Sequence, residues 1–258
     1  MEQQFRGPAG VLAVILLEVA LGSLGTLVIA PVWGVVKRGY FLLVGWSALT
    51  CAVLAALTAR GGLDRAGSDA GIPMWGLAVL SAIALVLLHR NAFRPARAVA
   101  AAACVSGVVA VVGLADLRHG NAAAGIAAML AGAAFVGTTW DGMLLGHWYL
   151  VDRKLTNDPM RWHAWAYTAG VVLALVSAAV AKGGKPTGTE GSLNPLLYVT
   201  DLTLYLAFGL VAVCGLLAFF VHKLVAEGSI RAATGMLYLA VIMAFAGEFA
   251  AKARFFTI

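Results

Sequence analysis

Four carboxylates, Glu18, Asp141, Asp201 and Glu248, stand inside or at the edge of long apolar runs, and His147, His163 and Lys252 share those runs. A polar side chain at membrane depth is costly and is usually kept for a function. Carboxylates spaced through the thickness of a helical bundle are the material of a proton path. Imidazoles one turn inside a membrane surface can hold a quinone head group or ligate a haem iron. Glu248 and Lys252 are four apart, in the order that favours an ion pair on one helix face.

The stretch 122–165 concentrates this chemistry. Asp141 and His147 are six apart, hence about 9 Å apart along a helix axis and on neighbouring faces. They can line one cavity but cannot bond each other directly. His163 opens the next apolar run at a similar depth, since the turn between is short and the two runs are antiparallel. His147 and His163 are therefore candidates for axial haem b ligation or for a quinone or proton role. Trp148, Tyr149, Trp162 and Trp165 also fit an aromatic belt, in which the two histidines would be interfacial residues only. His89, His119 and His222 sit at the ends of runs and read as solvated.

Glu18 is followed by Gly22 and Gly25, both within about 40° of it around a helix. Small residues on that face let a second helix approach, so Glu18 is expected to point into the protein. The stripe ends at the bulky Ile29. Glu18 is either a proton-relay or quinone-site residue or a structural interhelix partner. By depth, Glu248 and Asp201 lie near one surface, Glu18 centrally and Asp141 towards the other surface.

The elements that hold these residues are legible from hydropathy. A spanning helix needs about 20 mostly apolar residues, and eight such runs are present, about 10–36, 40–59, 72–89, 95–117, 122–151, 159–181, 196–222 and 230–251. Nothing alternates with the period of a strand. The expected fold is all-α, a polytopic membrane protein with a single membrane domain over residues 1–258. Because the first and fifth helices each carry a mid-helix carboxylate, two four-helix bundles are compatible with the pattern. The joints are short, the longest being 60–71 and 182–194. The N-terminus lacks a basic leader region, so the first run reads as a retained helix.

Composition agrees. The 258 residues are 62% hydrophobic and 12% charged, with a mean hydropathy of +0.91, whereas a soluble domain carries roughly 25% charged residues. The net charge of +6 does not indicate nucleic acid, because the 18 basic residues fall in the joints between runs. Arg6, Arg60, Arg65, Arg118, Lys182, Lys185, Lys252 and Arg254 lie on the side of the termini, and the other ten lie opposite. The positive-inside rule then puts both termini outside and the His147/His163 end inside. Cys51, Cys104 and Cys214 are far apart within apolar runs and form no C-x-x-C pair, so no Fe–S centre is expected in this chain.

The last helix ends with Gly247, Glu248, Ala251, Lys252, Phe255 and Phe256. This pattern resembles the final helix of the NrfD/DmsC type of membrane anchor subunits, with Lys252 where arginine is usual. Glu18 and Gly22 resemble the family's first helix. The resemblance implies a subunit in a bacterial inner membrane that anchors Fe–S or cytochrome partners of a respiratory oxidoreductase. It also implies exchange of electrons with quinone, usually without haem. A transporter that uses intramembrane carboxylates, and a purely structural subunit, are the other readings of the same residues.

Overall fold

A computed structural model of the protein describes residues 5–62, 70–114, 122–152, 154–180, 202–253 and 256–257. Asp201, His119, Phe255 and the joint 182–194 lie outside the described residues. Among those described, eight helices are long and apolar enough to cross a membrane. They are α1 (Gly7–Ile29), α2 (Arg38–Gly62), α3 (Gly71–His89), α4 (Phe93–Gly113), α5 (Ala122–Val151), α6 (Asp158–Val180), α7 (Leu202–Ala226) and α8 (Ile230–Ala253). The protein is an all-helical integral membrane protein. Phe5–Arg6 and Phe256–Thr257 form a two-residue parallel bridge between the ends of the chain.

Proline chemistry sets several boundaries. Pro8, Pro73, Pro95 and Pro159 each lie in the first turn of a helix, where the missing N–H has no intrahelical partner to lose. The expected first helix, 10–36, is shorter than hydropathy suggested and ends at Ile29. Pro31 follows, and Gly34 takes a φ of +85°, which lets the chain turn. The Trp33 indole donates to the Leu27 carbonyl at 2.8 Å, and Arg97 Nε donates to the Val28 carbonyl at 2.9 Å. These bonds satisfy carbonyls that the end of α1 would otherwise leave open. The α7–α8 turn closes on Gly228, whose φ is +74°.

The helices form two closed groups of four. In the first, α1 packs on α2, α2 on α3, α3 on α4, and α4 returns to α1. In the second, α5 packs on α6, α6 on α7, α7 on α8, and α8 returns to α5. The seam between the groups is α1 against α5, fringed by α1–α8, α2–α5 and α4–α5 contacts. The two four-helix groups agree with the pattern of mid-helix carboxylates in the first and fifth helices, and they meet through the first helix of each.

Small residues make these seams, because lipid tails are as apolar as leucine and only close packing favours helix on helix. The buried positions of α4 are Ala96, Ala100, Ala103, Gly107, Ala110 and Val111. On the same helix Val105, Val109 and Val112 are exposed, on the side open to lipid. At the α1–α5 seam a Cβ on Gly22 would collide with the Ala133 carbonyl, and one on Gly137 with the Gly22 backbone. Gly25 does not share this role; nothing lies within 4 Å of its Cβ position. The small-residue face next to Glu18 therefore narrows to Gly22. Cys214 is buried as expected, whereas Cys51 and Cys104 are only partly covered.

Candidate functional site

Lys252 is the last basic residue of α8, and Glu18 is the middle of α1. The structure joins them. Lys252 Nζ is 2.7 Å from Glu18 Oε2 and also pairs with Glu248 Oε2 one turn back on α8. Glu18 is fully buried, and Glu248 and Lys252 are nearly so. Glycine makes room for the carboxylate on the far side, since a Cβ at Gly132 of α5 would sit 2.6 Å from Glu18 Oε1. Two carboxyl groups and one ammonium thus share a closed site where α1, α5 and α8 meet. The ion pair expected between Glu248 and Lys252 is present. Its third member, Glu18, is separated from it by almost the whole chain.

A second polar group lies further along the same seam. Asp141 and Ser23 are both fully buried. The Ser23 hydroxyl faces the Asp141 carboxyl, although neither side chain has a hydrogen bond of good geometry among the described residues. Tyr40, also fully buried, lies within electrostatic reach of Asp141. The Tyr40 hydroxyl is 3.3 Å from His163 Nε2, and His163 Nδ1 is 2.9 Å from the Pro159 carbonyl. A carbonyl can only accept, so Nδ1 carries the proton. Nε2 is then the acceptor, and Tyr40 donates to it. This fixes the neutral His163 tautomer and ties α2 to α6 across the bundle boundary.

The order of contacts shows how the groups are strung. Glu18 meets Gly132, Gly22 meets Ala133 and Gly137, and Ser23 meets Asp141. Both helices ascend together, so α1 and α5 are parallel. Ser23 lies five residues beyond Glu18, about 7.5 Å of helix rise, and Asp141 lies nine beyond Gly132, about 13 Å. The polar groups are therefore separate stations on one seam, with the tight Gly22–Gly137 crossing between them.

The two histidines do not share surroundings. His163 is buried with both ring nitrogens engaged, whereas His147 is exposed and its Nδ1 lies 3.2 Å from the Tyr238 hydroxyl on α8. Ligation of an iron through His163 Nε2 would require that ring to give up its Tyr40 partner, whereas His147 is bonded through Nδ1 alone. Asp141 turns to the seam and His147 to the surface. His222, read as solvated, is partly covered, with Nε2 2.9 Å from the Thr168 hydroxyl.

Sequence reasoning overlooked Ser23 and Tyr40. Ser23 is five residues from Glu18 and therefore off its face by simple helical counting. Tyr40 opens an apolar run, where its phenol reads as an interface anchor. The only signal was Gly39 before it, where a Cβ would collide with the Trp148 ring of α5 and which therefore marks a close approach. At the surface beyond these groups, Lys37 in the α1–α2 turn pairs with Asp152 after α5 at 2.9 Å, joining the two bundles. That hydrogen bond holds the Asp152 carboxyl below its ordinary pKa.

No protein-family model, curated protein or solved structure matches this chain.

Proposed function

We propose that this chain is the membrane subunit of a respiratory or electron-transfer complex of the bacterial inner membrane. In this reading it anchors Fe–S or cytochrome partner subunits and provides a quinone-linked proton-transfer site. One observation carries the reading. The residues that resemble NrfD/DmsC-type anchors, Glu18 in the first helix and Glu248 and Lys252 in the last, converge on one buried ion-pair site. One ammonium can balance only one of two carboxylates, the stoichiometry of a station that takes up and releases a single proton. The Ser23–Asp141–Tyr40–His163 group is a second station towards the more basic side, which the positive-inside rule makes the inside, with both termini outside. Tyr40 would serve a quinone carbonyl by turning its one O–H from His163 Nε2 to the carbonyl oxygen.

A second reading is a transporter of a small solute or ion. The specific feature in its favour is the pair of four-helix bundles meeting through parallel first helices, since sites between repeats are common in carriers. Against it, α1 and α5 run through the seam unbroken.

Purification in mild detergent separates the two. The expected result is co-purification with Fe–S or cytochrome chains, and quinone-dependent turnover that falls about 100-fold or more, the usual worth of a positioned acid or base, in Glu18→Gln and Asp141→Asn. A colourless, partner-free protein with solute uptake in proteoliposomes overturns the redox reading. Full proton-coupled turnover in both variants overturns the assignment of the stations. A Soret band that vanishes in His147→Ala and His163→Ala would instead make the chain a haem b subunit.

A further inference from the structure

An open groove of about 360 Å³ lies between the start of α6 and the end of α7, lined by Arg161, Trp165, His222, Val225 and Ala226. Its polar side is built from groups with unused capacity. Arg161 is exposed and has no carboxylate partner among the described residues. His222 is held in place by two contacts. Its ring centroid is 4.5 Å from that of Trp165, and its Nε2 is 2.9 Å from Thr168 Oγ1. The Thr168 hydroxyl donates its one proton to the Ala164 carbonyl at 2.9 Å. It therefore accepts from His222 Nε2–H, which leaves Nδ1 an acceptor with no partner among the described residues, so that Arg161 is the donor of the groove. A guanidinium with five donors and an imidazole edge thus stand at one groove beside an exposed tryptophan.

The apolar side of the groove continues into the membrane. On α6, Val172 and Val176 follow Trp165 at seven and eleven residues and are exposed on the same face. On α7, Leu216 and Phe219 lie on the membrane side of His222 and are exposed as well. A ligand that fits has a phosphate at the height of Arg161 and a hydrocarbon chain running down this track. We propose that the groove binds the phosphate head group of an anionic phospholipid, with Arg161 as the charge-assisted donor. A planar guanidinium suits a phosphate in two-point contact, and basic pockets between helices are a recurrent way of holding anionic lipids.

The test uses the full chain, delipidated in an uncharged detergent and mixed with micelles or nanodiscs of phosphatidylglycerol or phosphatidylcholine. Native mass spectrometry counts the lipid retained. The groove predicts preferential retention of one phosphatidylglycerol. Arg161→Gln is expected to lower that retention about tenfold, the value of one charge-assisted contact. Arg161→Lys is expected to keep part of it. Arg94→Gln, which removes an exposed charge at the start of α4 in the other bundle, is expected to change nothing. Size-exclusion profile and melting temperature, unchanged in Arg161→Gln, separate lost binding from lost folding. Equal retention of both lipids, or undiminished retention in Arg161→Gln, overturns the proposal. So does millimolar inorganic phosphate binding with the same Arg161 dependence while phosphatidylglycerol shows no preference, since the site would then be one for free phosphate.

Discussion

Lys252 shows what a single buried charge does in this protein. It is the cation between two carboxylates, and removing it leaves both without a partner in a closed site. Breaking one partner of a buried pair costs about 3–5 kcal/mol, whereas replacing the whole pair by apolar or neutral groups can be neutral. Lys252→Met is therefore expected to destabilise by about that amount. The double variant Lys252→Met/Glu18→Gln should recover a large part of it, because one of the stranded carboxylates is gone. Thermal or denaturant unfolding in detergent, set out as a double-mutant cycle, checks this. Additive single effects would mean that Lys252 and Glu18 are not energetically coupled.

At the scale of helices, the α1–α5 seam is the critical contact. Its closeness comes from Gly22, Ala133 and Gly137, where backbone meets backbone. A methyl group at Gly22 has nowhere to go but into the Ala133 carbonyl, which is backbone and cannot rotate away. Gly22→Ala is expected to cost about 1–3 kcal/mol, the range for an overpacked core. It should also shift the two polar groups relative to one another. Gly25→Ala, with open space at its Cβ position, should be near neutral or slightly stabilising, since alanine is the better helix former. Melting temperatures of the two variants, measured side by side, give the comparison; equal losses would contradict the narrow crossing at Gly22.

For the whole molecule, the two bundles are tied at depth by Glu18–Lys252 and at the surface by Lys37–Asp152. The surface tie is pH-dependent in a definite direction. The Lys37 hydrogen bond lowers the Asp152 pKa in the folded protein. Its contribution is thus fully present above the unfolded aspartate pKa of about 4 and is lost as pH falls through the lower folded value. At neutral pH the tie is intact. The melting-temperature gap between wild type and Asp152→Asn is expected to hold from pH 7 to about pH 5 and to close towards pH 3. A gap unchanged down to pH 3 would show that Asp152 acts by some other means than its charge.

The class of fold, the eight spans, the Glu248–Lys252 pair and the presence of the carboxylates Glu18 and Asp141 within apolar runs were all legible in the sequence. All of these follow from local properties: twenty apolar residues in a row, a four-residue spacing, a carboxylate where carboxylates are costly. Only the tertiary structure decided which faces are inside. Two histidines at matched helix ends illustrate the difference, since His163 is buried against Tyr40 while His147 is exposed beside Tyr238. In water an apolar stripe marks the buried face of a helix, but in lipid both faces are apolar and the stripe is absent. Burial is then settled by which small residues allow backbones to meet, and that depends on two helices at once. The joining of Glu18 to Lys252, across 234 positions of sequence, is a fact of that kind.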